Sequence, residues 1–358
     1  MAEAEPISRR RQIHNTGVTV YRDRFSDLSD SLICHILSYI PTKEAVATSI
    51  LAKRWKPLWR YTHSIDFDDH KYKNNETRYS RFVHFVNTIL FSLDNSHPIK
   101  RFHLKSKSTF TSNENMNVWV NFALQHKVEH LEIESGQITT KLPSSIFTCK
   151  TIVVMKLHQA KFDDAISSIR LPSLRTLHLC DVFFSSSWCL VELLSNCELL
   201  ENLVINNIIT QTHTGFVYMG ISLSVNLLTT IDLPKLISAE VYFSNHWVVL
   251  TALSKAKFLL FDLKKCYHRD VRIPIFQNLA HLELRFDVDY DWNYLAKILQ
   301  NSPNLQILVL KARASLNLAL CKNLMRRIWE QLLVHANLLR VSSPHHHQGH
   351  SSVNNILN

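Results

Sequence analysis

Apolar side chains recur every three or four residues from position 23 onward, and this spacing predicts two helices in quick succession. Ser29 and Asp30 stand where the N-cap of the first helix is expected. Its apolar stripe consists of Leu32, Ile33, Ile36, Leu37 and Ile40. Pro41 ends this helix, and Thr42 can cap the next one. The apolar face of that second helix carries Val46 and Ile50.

A third segment contains Trp55, Leu58 and Trp59 and completes a unit of fewer than forty residues. Pro57 lies inside it and removes a helix hydrogen bond, so this segment is expected to be short or kinked. The unit carries more large apolar side chains than three short helices can bury against one another. Two interpretations are open on the pattern alone: a module that docks on a partner, or an N-terminal helical cap of the following domain.

From residue 99 the chain repeats the pattern apolar-x-x-apolar-x-apolar. The matches are Ile99/Phe102/Leu104, Val128/Leu131/Ile133, Ile152/Met155/Leu157, Leu174/Leu177/Leu179, Leu200/Leu203/Ile205, Phe216/Met219/Ile221, Leu236/Ala239/Val241, Phe258/Phe261/Leu263, Leu279/Leu282/Leu284 and Leu305/Leu308/Leu310. Most successive matches lie 20 to 29 residues apart, and the step from Ile205 to Ile221 is the short one. Residues 193–205 also resemble residues 298–310 over their full length. This is leucine-rich-repeat periodicity.

Such repeats predict a solenoid, because no single repeat can bury its own apolar face. The fold class is therefore α/β: a small N-terminal helical module followed by a leucine-rich-repeat solenoid, with a parallel sheet on one face and helices and loops on the other. Residues 78–91, 115–125, 188–194 and 292–299 have helical apolar spacing and are expected to lie on the convex side.

Alternate residues of a strand point to opposite faces, so the residues between the core leucines share the open side of the sheet. We predict that this side binds a target protein through His103, Lys105, Glu132, Glu134, Lys156, His158, His178, Asn206, Glu240, Tyr242, Glu283, Arg285 and Lys311. Their mixed charge suits a protein surface better than a phosphate backbone. Tyr242 is the expected anchor, since binding hot spots favour tyrosine. A merely solvated sheet face is the alternative for each residue.

Composition narrows the class of protein further. The chain of 358 residues has a formal charge of +10, but its lysines and arginines are scattered apart from Arg9–Arg11, which read as a solvated tail or a nuclear-import signal. This pattern does not favour nucleic-acid binding. Seven cysteines without a Cys-x-x-Cys pair indicate free thiols in a reducing compartment, so we expect a cytoplasmic or nuclear protein. The N-terminus lacks an apolar signal region, and the sequence has no apolar run long enough to span a membrane.

Catalytic and metal-binding patterns are weak. Five glycines leave little room for phosphate-binding loops, and no nucleophile motif is recognisable. Asp66, Asp68, Asp69 and His70 could form a metal site by spacing, and His345–His347 could hold a stray ion, but a strand and a polar tail are the better interpretations. We therefore predict no enzyme activity, no metal and no cofactor.

Residues 23–59 resemble the F-box of plant ubiquitin-ligase receptors. The resemblance rests on Pro41-Thr42-Lys43, Ala45-Val46, Thr48-Ser49 and Lys53-Arg54-Trp55, followed by Asp-Phe-Asp-Asp at 66–69. Two positions depart from the family pattern: Ser29 replaces a proline that would pre-set the backbone, and Ala52 replaces a serine. The resemblance implies an adaptor-binding surface made of Leu28, Leu32, Ile33, Ile36, Leu37, Pro41, Val46, Leu51, Trp55, Leu58 and Trp59.

With the repeats included, the chain is similar to plant F-box/leucine-rich-repeat proteins of the FBD type. The resemblance implies a non-catalytic substrate-recognition subunit of an SCF-type cullin–RING ubiquitin ligase, with a Skp-type adaptor and an unknown target as partners. The alternative is a scaffold or decayed relative that no longer engages the ligase. Expected segments are a disordered tail at 1–20, the F-box at 21–62, the solenoid at 63–311, a helical segment at 312–341 and a disordered tail at 342–358. The FBD element is expected to be truncated or replaced, because residues 312–341 show helical spacing instead.

Overall fold

The computed structural model describes residues 27–312 except 73, 94–96, 163–167, 187, 213–214, 219–230, 244–249, 264–272 and 287–291. The segments predicted at 1–20, 312–341 and 342–358 lie outside these residues, apart from Ala312. So do Met219 and Ile221 of the sixth repeat match.

The N-terminal module consists of two helices and three 3₁₀ turns. Helix α1 spans Asp30–Leu37, with Ser29 as its N-cap: the Ser29 Oγ accepts a hydrogen bond from the Leu32 N–H at 3.3 Å. Helix α2 spans Thr42–Ala47. The 3₁₀ turns are Thr48–Ile50, Lys53–Trp55 and Leu58–Tyr61. Pro57 separates the last two, so the third segment is broken as its sequence predicts.

The rest of the described chain contains one sheet of twelve strands, with helices and loops between the strands. They are β1 Ser64–Asp68, β2 Arg101–Ser106, β3 His130–Ser135, β4 Val154–His158, β5 Lys161–Phe162, β6 Thr176–Phe184, β7 Asn202–Thr212, β8 Gly215–Tyr218, β9 Ser238–Phe243, β10 Phe258–Leu263, β11 His281–Phe286 and β12 Ile307–Ala312. Ten of them form a parallel ladder in the order β1-β2-β3-β4-β6-β7-β9-β10-β11-β12. Strand β5 adds to β6 in parallel, and β8 pairs with β7 antiparallel.

Most of the predicted repeat matches lead into a strand of this parallel ladder, and two of the matches are wrong. Phe216 belongs to β8, which turns back on β7, so the short step at that point is a hairpin and not a repeat. In β10 the register aligns Leu259 with Ala239 and Phe261 with Val241. The correct match there is Ala256/Leu259/Phe261, two residues earlier than predicted. The ladder also gains β1, whose Ile65 and Phe67 align with core residues of β2.

Four helices cover the leucine side of the sheet. They are α3 Glu76–Ser92, α4 Asn113–Gln125, α5 Trp188–Ser195 and α6 Trp292–Gln300, close to the predicted ranges. Asn75 caps α3 and Ser112 caps α4 through side-chain oxygens. The inner faces of these helices join the in-pointing leucines in one continuous core, where Trp119 meets Phe82 edge-on at 6.1 Å between ring centroids.

The core side chains stack in two rows across the ladder. One row runs from Ile65 through Leu131 and Leu203 to Leu308, and the other from Phe67 through Ile133 to Leu310. These side chains are buried. Burying each large apolar side chain contributes about 1.5–3 kcal/mol relative to exposure, so the rows fix the register of every strand. The opposite side of each strand is left as the open face of the sheet.

Candidate interaction surfaces

The F-box module keeps part of its apolar stripe for its own core. Ile33, Leu37, Leu58 and Trp59 are buried within the chain, Trp59 with only 8% of its surface exposed. The α1 helix packs against the Leu58–Tyr61 turn, and the Cys34 thiol donates to the Leu58 carbonyl at 3.4 Å. These four residues therefore lack the exposed surface expected of them in the isolated chain, and their contact with an adaptor stays a prediction.

The remaining predicted adaptor residues are accessible. Leu32, Ile36, Pro41 and Leu51 are exposed, and Leu28, Val46 and Trp55 are half-buried. Two large apolar residues that the prediction missed are even more exposed: Tyr39 at 75% and Ile50 at 88%. Tyr39 stands seven residues after Leu32 and three after Ile36, and this spacing is the signal that could have placed it in line with the outer stripe of α1, just past the end of the helix. An outward stripe of this kind is typical of a docking module rather than of a domain cap.

The open face carries all thirteen predicted target-binding residues. In strand order, one row consists of Asp66, His103, Glu132, Lys156, His178, Val204, Glu240, Leu260, Glu283 and Val309. The next row consists of Asp68, Lys105, Glu134, His158, Cys180, Asn206, Tyr242, Asp262, Arg285 and Lys311. The structure thus brings these residues together across two hundred positions of sequence, while their binding role stays a prediction.

A third row lies at the amino end of the strands and was not predicted. It consists of Ser64, Arg101, His130, Val154, Thr176, Asn202, Ser238, Phe258, His281 and Ile307. The period of two along each strand could have found it, since its members stand two residues before the first row.

The first part of the open face, from β1 to β6, is a charged zone held together by internal ion pairs. His103 Nδ1 donates to Asp66 Oδ1 at 2.8 Å, and this hydrogen bond raises the pKa of His103 against the effect of its burial. Glu134 lies 3.1 Å from the Lys107 amine and 3.7 Å from the Lys105 amine. Burial acts to raise the pKa of Glu134, but the two lysines outweigh it and hold that pKa below its ordinary value.

Lys156 and Glu132 form a further pair in the charged zone, with 3.3 Å between Nζ and Oε2. The neighbouring His178 is half-buried, and its pKa is lowered by that burial and then by the Lys156 charge. These charges already have ion-pair partners within the chain. A target that exchanged one of those partners for its own charged group would therefore gain little binding free energy.

The last part of the open face, from β10 to β12, carries four apolar residues, called the apolar zone: Phe258 and Leu260 on β10 and Ile307 and Val309 on β12, on either side of His281 and Glu283 of β11. Phe258 is 49% exposed, and its ring lies 6.0 Å from that of His281 on the next strand. Large apolar side chains on the solvent side of a sheet mark an interaction surface more strongly than paired charges do. The sequence pattern did not indicate this zone for two reasons. The predicted match in β10 is two residues too late, so Leu260 was not assigned to the open face, and the predicted open-face residues were chosen mainly among polar side chains.

Polar groups beside the apolar zone are fixed by one another. Glu283 lies 2.8 Å from the Lys311 amine and 3.1 Å from Arg285 Nε. Burial acts to raise the pKa of Glu283, yet these two cations keep it below the ordinary value. Tyr242 donates its hydroxyl to Glu240 at 2.9 Å, and the Arg285 guanidinium lies 5.2 Å from its ring centroid. Burial raises the pKa of Tyr242. The predicted anchor is therefore a half-buried, pre-oriented aromatic side chain.

A cleft of about 280 Å³ separates the F-box module from the charged zone. Ser38, Tyr39 and Ile40 form one wall, and open-face residues that include Asp66, His103 and Glu132 form the other. Asp66, Asp68, Asp69 and His70, the candidates for a metal site by spacing, do not all line this cleft: of the four, only Asp66 does. The Asp69 carboxylate is buried and accepts from the backbone N–H groups of residues 107 and 108 at 2.9 and 2.7 Å, which is a loop-fixing role.

No helix in the described ranges is long and apolar enough to cross a membrane. A small helical module with an outward apolar stripe, joined directly to a solenoid with a wide open face, defines an interaction protein of the adaptor class.

Comparison with known proteins identifies the family. The F-box domain matches residues 25–65, and the repeats of the FBD-associated F-box protein At5g56370 match residues 116–218. In Arabidopsis thaliana, F-box/FBD/LRR-repeat protein At4g26340 is 31% identical over 334 residues, covering 80% of this chain and 77% of that protein. FBD-associated F-box protein At4g10400 is 30% identical over 327 residues, covering 80% of this chain and 77% of that protein.

F-box/FBD/LRR-repeat protein At5g56420 is 29% identical over 335 residues, with 82% of this chain and 78% of that protein covered. The chain belongs to the plant F-box/leucine-rich-repeat family of the FBD type. This membership supports a substrate-adaptor role in ubiquitin ligases, as a protein of the adaptor type rather than an enzyme.

Proposed function

We propose that this chain is the non-catalytic substrate-recognition subunit of an SCF-type cullin–RING ubiquitin ligase, in which the F-box docks on a Skp-type adaptor. The observation that carries the proposal is the outward apolar set on the F-box. Leu32 and Ile36 lie on the outer stripe of α1, Tyr39 follows just past the end of that helix, and Ile50 and Leu51 are exposed in the turn after α2. The core of the module is complete without them, so their exposure is explained by a partner surface.

Binding at this surface would concentrate in the few large apolar anchors, with the charged residues around them acting on specificity. The ligase would then gain its rate by holding a target near the ubiquitin-charged enzyme, since proximity alone lowers the entropic barrier to transfer. Catalytic groups in this chain are not needed for such a role.

Co-purification tests the proposal. The full chain, expressed with a Skp-type adaptor and a cullin, should elute as a complex, and Ile36→Asp with Leu51→Asp should abolish it. Phe91→Asp is a matched control, because Phe91 is also a highly exposed apolar residue but belongs to α3 and not to the F-box. A folded parent chain that fails to bind the adaptor would establish the alternative of a scaffold no longer engaged with the ligase.

Target capture is the second part of the proposal, and it involves the open face. The apolar zone supplies apolar surface that loses its water when a target binds, and Tyr242 beside it supplies an oriented aromatic group. The charged zone then determines which partners can bind. A partner with a poorly matched surface would place an unpaired charge against Glu132, Lys156 or their neighbours, which is unfavourable. This division of roles makes the apolar zone the part whose loss costs most affinity.

A further inference from the structure

The histidine at the start of the charged zone has one ring nitrogen without a partner. His103 Nε2 is buried and has no hydrogen-bond partner, and the nearest acidic oxygen is Glu134 Oε1 at 4.0 Å. The other ring nitrogen, Nδ1, faces Asp66 Oδ1 at 2.8 Å. Because a carboxylate can only accept, Nδ1 carries a proton, and Nε2 is the ring nitrogen that offers a lone pair towards Glu132 and Glu134 once it is deprotonated.

These groups have the composition of a cation site. One ligand atom from each of His103, Glu132 and Glu134 lies within 4.8 Å of the other two. The strand register explains this: Glu132 is the direct neighbour of His103 across β2 and β3, and Glu134 follows on the same face. A carboxylate that accepts from the second nitrogen of an imidazole is the usual outer partner of a metal-bound histidine, and Asp66 occupies that position.

We propose that His103, Glu132 and Glu134 bind a divalent first-row transition-metal ion, with Asp66 orienting the imidazole. Metal–ligand bonds near 2.0–2.2 Å bring ligand atoms to roughly 3–4 Å of one another, so small rotations of the two partly exposed glutamates complete the site. Three protein ligands leave further positions open on the side of the cleft, where water or a group from a bound protein can enter.

Three lysines set the strength of the site. Lys105 and Lys107 approach Oε2 of Glu134, and Lys156 approaches Oε2 of Glu132, whereas Oε1 of Glu134 is the oxygen that faces Nε2. The lysines repel a cation, so the site is weaker than an isolated His-Glu-Glu set, and removal of one lysine charge strengthens it.

Mn²⁺ is the probe, since carboxylates suit it and cysteine thiolates do not. The full chain carries His345–His347→Ala to remove a competing histidine run, and free Mn²⁺ is counted by electron paramagnetic resonance. We expect one bound ion per chain, at least tenfold weaker binding in His103→Gln and in Glu132→Gln, and at least threefold tighter binding in Lys107→Gln. Asp66→Asn should weaken binding by about tenfold or more through loss of the orienting carboxylate.

Glu283→Gln is the matched control, because Glu283 is also an open-face carboxylate held by two cations but lies on β11, seven strands along the ladder from His103 on β2. It should bind Mn²⁺ like the parent, and circular dichroism confirms that each variant is folded. Absence of a bound ion, or equal binding by the parent and by His103→Gln, overturns the proposal and leaves the pair of His103 with Asp66 as a purely structural contact.

Discussion

Arg54 reaches from the third segment of the F-box to the start of α1 and bonds to Asp30, with 2.7 Å between Nε and Oδ1. Its Nη2 donates to the backbone carbonyl of Leu28 at 2.5 Å. A single planar guanidinium therefore joins the first and last segments of a module that has little core of its own. Lysine cannot reproduce both contacts, because it offers one point charge instead of a fork.

Arg54→Lys should loosen the F-box without unfolding the chain. Both side chains of the ion pair are substantially exposed, so the expected cost is at most about 1 kcal/mol. Hydrogen exchange by mass spectrometry should show faster exchange over Asp30–Leu37 and unchanged exchange in β2 and β3. Lys56→Arg, a swap of the same two residue types at an exposed position nearby, is the control and should leave both regions as they are.

Ser29 stabilises the start of α1 in a way that proline cannot. Its Oγ accepts from the Leu32 N–H, and loss of such a cap costs typically about 1 kcal/mol. The φ of Ser29 is −68°, which already fits proline. A proline at this position would stabilise the folded state by about 0.4–1 kcal/mol, because it restricts the unfolded chain. Ser29→Ala should thus speed exchange in α1 more than Ser29→Pro does. Equal effects of the two substitutions would show that the proline restriction returns nothing, and parent-like exchange in Ser29→Ala would show that the cap contributes nothing.

The two tryptophans of the F-box should separate binding from folding. Trp55 is half-buried, so Trp55→Ala is expected to leave the module folded and to weaken adaptor binding by about 2 kcal/mol. Trp59 belongs to the core, and Trp59→Ala should cost about 3–5 kcal/mol of stability. Titration calorimetry with the adaptor and near-ultraviolet circular dichroism distinguish the two results. A folded Trp55→Ala chain with normal affinity would remove Trp55 from the interface.

The apolar zone should dominate target capture. Phe258→Ala is expected to weaken capture by about 2 kcal/mol, because it truncates a large side chain in the open face. Charge reversal at Glu132, Lys156 and Glu283 together should change which proteins are captured. The measurement is quantitative co-purification, in which proteins retained by the parent and by Phe91→Ala are lost with Phe258→Ala. Retention of the same proteins by Phe258→Ala would place the binding surface elsewhere.

Cys197 should report on opening of the solenoid. It is fully buried, and burial raises the pKa of its thiol to about 12. At pH 8 only roughly one thiol in ten thousand is ionised, and iodoacetamide reacts with the thiolate. The native chain should therefore be alkylated at the half-buried Cys149 and spared at Cys197, with full labelling in denaturant. Rapid native labelling at Cys197 would contradict the packing around α5.

The sequence predicted the ladder well where leucines stand alone among polar neighbours, as in β3 and β11. It failed in β10, where Phe258 to Leu263 are apolar at five of six positions and several registers fit the same template. The repeat template missed β1, although a strand was expected after the F-box, because Thr62 stands where the other repeats have an apolar residue. Only pairing with the neighbouring strands resolves such cases, and pairing is a property of the folded chain.

The candidate surfaces were predicted unevenly for a related reason. Spacing identified the apolar stripe of α1 but not that Ile33 and Leu37 face the Leu58–Tyr61 turn while Leu32 and Ile36 face outward. A short helix with apolar residues on two sides has no single inner face until its neighbours are placed. The open-face residues were easier, because the period of a strand fixes their side once the leucines are assigned.

Strand β1 follows the F-box without an intervening linker, and the Thr42 hydroxyl of α2 accepts from the Asp66 N–H in that strand at 2.8 Å. The module and the first rung of the ladder are thus bonded to each other instead of being tethered. A tether would let a captured protein sample many distances from the docking surface and would dilute its effective concentration there. In this chain the spacing is set by the geometry of the sheet, so under the proposed function the position along the ladder at which a target binds determines which of its lysines come within reach of an enzyme recruited through the F-box.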